Sequence, residues 1–147
     1  MIGDKSRLGE TLNSKIDEIE GITASNNGLT LIIFLSYSGK WDILQAAERY
    51  SMLLKEGSIQ DDVPLTHELM DSLLSTTGVP DPDLLIRTSG EQRISNYMLW
   101  QCAYTEFYFT DVLWPDFRKN DFRRALETYS ERERRYGKTG DQINKIK

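Results

Sequence analysis

The sequence predicts an α/β fold built on a parallel sheet with helices on both faces. Residues 29–35 form a continuous apolar run, which is typical of a strand buried on both faces. A second strand pattern, residues 83–88, follows Pro-Asp-Pro, and apolar positions at helical spacing lie between the strand patterns. This alternation favours parallel strands joined by right-handed crossovers.

The first part of the chain predicts two helices on either side of the first strand. Its opening helix carries an apolar stripe at Leu8, Leu12, Ile16, Ile19 and Ile22. After the strand, a loop at residues 36–40 leads into a helix over residues 41–55, which Gly57 closes.

The remainder predicts three more helices and two strands. A short helix capped by Thr66 runs through Leu74 and is followed by the strand 83–88. A helix from Ser95 to about Tyr104 then leads to an aromatic strand at residues 106–110. After a turn at Trp114-Pro115-Asp116, the last element is a charged helix at residues 121–136, followed by Gly137. Within the aromatic segment, we expect Trp100 and Trp114 to be core residues.

Composition restricts the possible functions. The 147 residues suffice for one domain, which we predict over residues 1–147 with a disordered tail at 138–147. A net charge of −5 argues against a nucleic-acid partner. Cys102 is the only cysteine, so no intrachain disulfide can form, which fits a reducing compartment. No signal peptide is evident, and no apolar run is long enough to span a bilayer.

The strand 83–88 ends in a pattern suited to binding an anion. Arg87 is followed by a Ser-Gly turn, Arg93 and Ser95. In parallel sheets ligands bind beyond the carboxyl ends of the strands. Two nearby guanidinium groups repel unless a negative charge lies between them, and they suit a phosphate or a diphosphate. In a purely structural alternative, Arg87 pairs with a carboxylate such as Glu91.

Several segments resemble one known family. Residues 84–117, "LLIRTSGEQRISNYMLWQCAYTEFYFTDVLWPDF", resemble the signature of the cis-prenyltransferases, the undecaprenyl diphosphate synthase family. Residues 36–43, "SYSGKWDI", resemble the family's Asn-Tyr-Gly-Gly-Arg-x-Asp-Ile loop, and residues 132–137 resemble its Arg-x-Gly ending. The resemblance extends from residue 2 to about residue 137.

The resemblance implies an enzyme that condenses isopentenyl diphosphate onto an allylic prenyl diphosphate, with Mg²⁺ as cofactor. It implies a cytoplasmic homodimer without a transmembrane segment. Because the product is a membrane-bound lipid, the resemblance also implies that the enzyme associates peripherally with the inner face of the membrane. Carried over to matching positions, it assigns isopentenyl diphosphate to Arg87, Arg93, Ile94 and Ser95, the metal to Glu106, and a contribution across the dimer to Arg135 and Gly137.

The chain also departs from the family pattern. The family's amino-terminal Met-Asp-Gly-Asn-Gly-Arg-Trp loop, which binds the allylic diphosphate and a magnesium ion, has no counterpart here. We therefore expect only the second half of the family's sheet, an exposed edge, and no activity from this chain alone. The alternatives are a non-catalytic diphosphate-binding or partner subunit, and an inactive fragment. Ser38, Lys40 and Ser89 replace the usual Gly, Arg and Gly, and Ser89 puts the turn geometry in question.

Overall fold

A computed structural model describes residues 1–60 and 62–132. Its helices and strands are, in chain order, α1 (Glu10–Thr23), α2 (Gly39–Lys55), α3 (His67–Leu73), β1 (Leu84–Arg87), β2 (Glu106–Phe109) and α4 (Lys119–Ser130), with short 3-10 helices at Lys5–Arg7 and Trp114–Asp116. The chain forms two compact units. Of the described residues, the first unit holds Met1–Asp81 and Ile94–Ala103 without residue 61, and the second holds Pro82–Arg93 and residues 104–132.

The sheet of the second unit confirms the predicted α/β class with parallel strands. β1 pairs directly with β2 in parallel, with Leu84 opposite Glu106 and Arg87 opposite Phe109. Each strand has four residues, and α4 packs against β2. The pairing places Arg87 at the carboxyl end of β1.

The strand predicted over residues 29–35 does not form as such. Only an isolated parallel bridge between Ile2 and Phe34 is present. The amide of Ile2 donates to the Ile33 carbonyl at 3.0 Å, and the amide of Leu35 donates to the Ile2 carbonyl at 3.0 Å. A strand requires a neighbouring strand along its length, and here a single residue fills that role.

The helix predicted from Ser95 to Tyr104 is also wrong. Ser95, Asn96 and Met98 have φ values of 49°, 61° and 46°, which a right-handed helix cannot include. A tertiary contact explains the difference. The carbonyl of Asn96 accepts a hydrogen bond from the Gly39 amide at 2.6 Å, and its side-chain Oδ1 accepts one from the Lys40 amide at 2.9 Å. The segment therefore caps the first turn of α2.

The core of the first unit lies between α2 and α3. It consists of Ala46, Met70, Leu73 and Leu74, with Trp100 packed against them as predicted. The other tryptophan prediction is wrong, because Trp114 lies in a 3-10 helix and is 72% exposed.

The last helix is shorter than predicted. α4 ends at Ser130, and its first turn is capped by the Asp121 carboxylate, which accepts from the Arg118 amide at 2.9 Å. The predictions for Arg135, Gly137 and the tail at 138–147 lie outside the described residues. Among the helices that the structure describes, none is long and apolar enough to cross a membrane.

Candidate functional site

The turn after β1 is fixed by the segment that follows β2. The amide of Thr110 donates to the Arg87 carbonyl, the amide of Ser89 to the Val112 carbonyl, and the amide of Gly90 to the Thr110 carbonyl, each at 2.9 Å. These bonds close the end of the two-stranded sheet. They hold the backbone just beyond Arg87 in one conformation, so the half-buried Arg87 side chain leaves the sheet from a defined position.

The turn needs two residues in the left-handed region. Ser89 has φ 70° and Gly90 has φ 72°. A Cβ on Gly90 would lie 3.1 Å from Oδ1 of Asp111, so glycine suits this position for both conformation and space. Ser89 adopts the left-handed conformation at a cost of roughly 1–2 kcal/mol. The turn thus forms despite the replacement of the family's glycine.

Arg93 belongs to the same unit as Arg87 and is held by Glu91. The distance between Nη1 of Arg93 and Oε2 of Glu91 is 2.5 Å, and the Arg93 side chain remains 68% exposed. Glu91, which the structural alternative pairs with Arg87, thus contacts Arg93. This ion pair restrains one edge of the guanidinium and leaves most of the group open to solvent.

The remaining residues predicted for the diphosphate belong to the first unit. The boundary between the units falls between Arg93 and Ile94, so Ile94 and Ser95 lie on the other side of it. Ser95 is exposed and has φ 49°, which replaces the helix cap predicted there. A single anion site combining Arg87, Arg93 and Ser95 stays a prediction.

Glu106, the predicted metal ligand, is the first residue of β2. Its Oε2 accepts a hydrogen bond from Nη1 of Arg132 at 2.7 Å, just beyond the end of α4. Within residues 1–60 and 62–132 there is no group of three or more His, Cys, Asp or Glu side chains that could hold a metal ion. Glu106 therefore offers one carboxylate, and the described residues do not by themselves form a magnesium site.

In the first unit, the loop before α2 is built around a buried carboxylate. Asp42 is 1% exposed. It accepts hydrogen bonds from the Tyr37 hydroxyl at 3.0 Å, from Nε2 of Gln45 at 2.9 Å, from the Ser75 amide at 2.8 Å and from Nε2 of Gln101 at 3.1 Å. Burial, and then the neighbouring Asp42 charge, raise the pKa of Tyr37 well above its usual value. This network anchors the loop to two distant segments of the same unit.

The first amides of α2 are all paired with protein groups. Asn96 accepts from Gly39 and Lys40, and Oγ of Ser38 accepts from the Trp41 amide at 3.3 Å. The helix start therefore presents the exposed Lys40 side chain, rather than open amides, to any anion.

Sequence reasoning missed three residues of this framework: Asp42, Asn96 and Gln101. One feature of the sequence pointed to a structural role for Asp42. It is an acidic residue in the first turn of a predicted helix, and the apolar Ile43 follows it directly. Its partners are up to 59 positions away in the chain, so local pattern could not identify them.

Comparison with known proteins places the chain in a family. The family described as "Putative undecaprenyl diphosphate synthase" matches residues 1–137. An isoprenyl transferase of Porphyromonas gingivalis is 48% identical over 142 residues, which cover 97% of this chain and 56% of that protein. A ditrans,polycis-undecaprenyl-diphosphate synthase of Coxiella burnetii, named as specific for (2E,6E)-farnesyl diphosphate, is 47% identical and covers 99% of this chain and 61% of its own length.

Solved structures agree with the sequence relatives. Lavandulyl diphosphate synthase from Lavandula x intermedia, crystallised with dimethylallyl diphosphate, has a TM-score of 0.89 and 41% identity, covering 93% of this chain and 58% of that one. A probable undecaprenyl diphosphate synthase from Campylobacter jejuni has a TM-score of 0.79 and 34% identity, with coverage of 93% and 61%. The chain thus spans between half and two thirds of the length of these relatives. On this evidence the chain belongs to the cis-prenyltransferase family, which includes the undecaprenyl diphosphate synthases.

Proposed function

We propose that this chain serves cis-prenyl transfer, the condensation of isopentenyl diphosphate onto an allylic prenyl diphosphate, and that it supplies the isopentenyl diphosphate half-site. The observation that carries the proposal is the pair of arginines around the rigid turn of the second unit. Arg87 ends β1, Arg93 follows six residues later, and three backbone hydrogen bonds fix the turn between them.

The two guanidinium groups suit the diphosphate of this substrate. Arginine binds phosphate oxygens through parallel N–H donors, and it remains charged at any physiological pH. Glu91 restrains Arg93 through one nitrogen while most of its side chain stays exposed, so further donors can face a ligand. Ile94 and Ser95, the next residues along the chain, are proposed to complete the site.

In the proposed reaction, the carbon–oxygen bond between the allylic group and its diphosphate breaks. The double bond of isopentenyl diphosphate supplies the electrons of the new carbon–carbon bond, and loss of a proton leaves a cis double bond. The contribution of Arg87 and Arg93 is to hold the isopentenyl diphosphate in place and neutralise its charge. Such positioning and electrostatic complementarity account for much of enzymatic rate enhancement.

Magnesium enters the proposal through Glu106 alone. When bound, the ion would neutralise charge on the leaving diphosphate. Magnesium is commonly held by one or two carboxylates together with substrate oxygens and water. Glu106 would give one carboxylate after releasing Arg132, and the other ligands would come from the substrate and from outside the described residues.

A second candidate is a diphosphate-binding partner subunit without catalytic activity. The chain spans 54–61% of the length of its curated relatives. Under either candidate we propose a homodimer in the cytoplasm, peripheral at the membrane that receives the lipid product.

Calorimetric titration with inorganic pyrophosphate and with isopentenyl diphosphate tests the half-site. We expect Arg87→Ala and Arg93→Ala each to weaken binding about ten- to a hundredfold, since a hydrogen bond to a charged group contributes roughly 1.5–3 kcal/mol. Arg123→Ala is the matched control, because Arg123 is an exposed arginine of α4 in the same unit. Equal losses in all three variants would mean general charge attraction and would refute the half-site.

A transfer assay separates the two candidate functions. The chain is incubated with farnesyl diphosphate, labelled isopentenyl diphosphate and magnesium, first alone and then with the portion of the P. gingivalis relative that it does not match. Product only in the mixture supports a catalytic half-site. Diphosphate binding without product in either case favours the partner subunit.

A further inference from the structure

Two neighbouring residues of the first unit form the tip of a tight turn with an uncommon backbone. The amide of Tyr97 donates to the Ile94 carbonyl at 3.1 Å, which closes a four-residue turn. Its two central residues, Ser95 and Asn96, have φ values of 49° and 61°. Positive φ at both central positions is the pattern of a type I′ turn, in which glycine, asparagine and aspartate predominate. Ser95 is therefore held in a conformation that is unfavourable for serine.

Asn96 holds this turn against the start of α2. Its backbone carbonyl accepts a hydrogen bond from the Gly39 amide at 2.6 Å, and its Oδ1 accepts one from the Lys40 amide at 2.9 Å. Both donors lie in the first turn of α2, where backbone amides have no partner within the helix itself. The two bonds fix both the backbone and the side chain of Asn96 on one helix.

The residues that follow the turn are anchored as well. The ring of Tyr97 packs edge-on against the rings of Phe34 and Tyr37, with centroid distances of 5.1 Å and 5.9 Å. Met98, the next residue, is buried. Ser95 itself is exposed. The turn is thus fixed from Asn96 onward, and it carries the exposed Ser95 at its tip.

We propose that Asn96 is a positioning residue, which holds the turn on α2 so that the Ser95 hydroxyl is presented to the diphosphate of isopentenyl diphosphate. The inference rests on the proposed function, which includes Ser95 in the half-site, and it adds a residue that acts through Ser95. Strained backbone conformations persist where surrounding contacts over-determine them, and they cluster at ligand sites. A turn that is ordered before the ligand arrives avoids the cost of ordering it on binding.

Calorimetric titration of the chain with isopentenyl diphosphate separates positioning from simple helix capping. Ser95→Ala should weaken binding by about tenfold, since it removes a hydrogen bond to a charged group. Asn96→Ala should weaken binding to a similar extent, because alanine lacks the side-chain acceptor and disfavours positive φ. Asn96→Gly removes more of the side chain, yet it should weaken binding less than Asn96→Ala, because glycine adopts the left-handed conformation freely.

A double-mutant cycle and a control variant complete the binding test. In the Ser95→Ala background, Asn96→Ala should cause little further loss of affinity, because both changes act through one hydroxyl group. Thr66→Ala removes the cap of α3 in the same unit. It should lower stability without changing the affinity for isopentenyl diphosphate.

Hydrogen exchange of the chain without ligand tests the geometry itself. Asn96→Gly should speed exchange of the Lys40 amide, whose acceptor is the lost side chain, while the Gly39 amide keeps its carbonyl acceptor. An original chain that binds no isopentenyl diphosphate would refute the proposed function and this inference with it. Unweakened binding by Asn96→Ala, independent losses in the double variant, or unchanged exchange at Lys40 would overturn this inference alone.

Discussion

Nε2 of Gln101 lies 3.1 Å from Oδ2 of Asp42, although 59 residues separate them in the chain. The same nitrogen donates to Oγ1 of Thr76 at 2.8 Å. One side chain thus ties the start of α2 to the segment after α3, and all three groups are buried. The network gives the first unit a polar centre beside its small apolar core.

We predict that Asp42→Ala destabilises the chain by at least about 3 kcal/mol. The change removes the acceptor of the part-buried Tyr37 hydroxyl and Ser75 amide and one of the two acceptors of the buried Gln101 amide group, and each unsatisfied group costs about 1–3 kcal/mol. Urea unfolding followed by circular dichroism measures the loss. Asp17→Ala is the control, because Asp17 forms an exposed ion pair with Lys5 and should change stability by less than about 1 kcal/mol. Similar losses in both variants would contradict the structural role of Asp42.

Glycine substitutions should have opposite effects at two positions of the first unit. At Gly39 an added Cβ would lie 2.7 Å from Cγ of Leu99 and 2.8 Å from its backbone nitrogen, so Gly39→Ala must displace the segment that caps α2. At Gly21, within α1, nothing lies within 4 Å. We expect Gly39→Ala to lower stability by roughly 1–3 kcal/mol and Gly21→Ala to raise it by roughly 0.5–1 kcal/mol. Thermal unfolding of both variants checks the signs, and stabilisation by Gly39→Ala would rule out the close approach.

Local sequence patterns correctly predicted those helices and strands that are determined by residues close together in the chain. The cap of α3 was predicted from Thr66 alone, and Oγ1 of Thr66 does accept from the Leu69 amide at 3.2 Å. Likewise, the apolar run ending in Arg87 predicted β1 and placed this arginine at the carboxyl end of a parallel strand. The position of Arg87 in the fold was therefore predicted from sequence, and its role in binding stays a prediction. The Glu106–Arg132 pair was not predicted.

The two failed elements depend on groups far away in the chain. Residues 29–35 have the composition of a strand, but composition cannot supply the neighbouring strand that pairing requires. The segment after Ser95 has a helical pattern, yet Asn96 is drawn into capping α2 across 56 positions. In both places a tertiary requirement decides the conformation against the local preference.

Alkaline pH should destabilise the first unit through Tyr37. Its pKa is raised by burial and by Asp42 above the usual value of 10.0, so the folded state holds the phenolic proton more tightly than the unfolded state. The stability linked to this proton is fully present below pH 10 and is lost as the pH rises beyond that value. Tyr37→Phe should cost roughly 1.5–3 kcal/mol at pH 7, for the lost bond to a carboxylate, and less above pH 10. A cost independent of pH between 7 and 11 would contradict this linkage.

The ion pair of Glu106 with Arg132 should matter little for stability but should affect metal binding. Both side chains are partly exposed, so Arg132→Ala should cost less than about 1 kcal/mol. If Glu106 is a magnesium ligand in the reconstituted enzyme, freeing its carboxylate should lower the magnesium concentration needed for half-maximal transfer. Glu106→Gln should raise that concentration, and Arg123→Ala should leave it unchanged. An Arg132→Ala enzyme with an unaltered magnesium requirement would remove Glu106 from the proposed ligands.

Self-association is expected through the residues between Asn96 and Trp114. Tyr104, Leu113 and Trp114 of this segment are exposed, and large exposed apolar surfaces mark interaction sites. A two-fold interface would use the same patch on both subunits. Light scattering at micromolar concentration should detect a dimer, and Trp114→Glu should weaken it by roughly tenfold or more, since tryptophans often dominate interface energetics. Leu44→Glu, at an exposed leucine of α2 in the first unit, is the control and should leave the dimer intact. A dimer that resists Trp114→Glu would place the contact outside this segment, and a monomer at all concentrations would contradict the expected self-association.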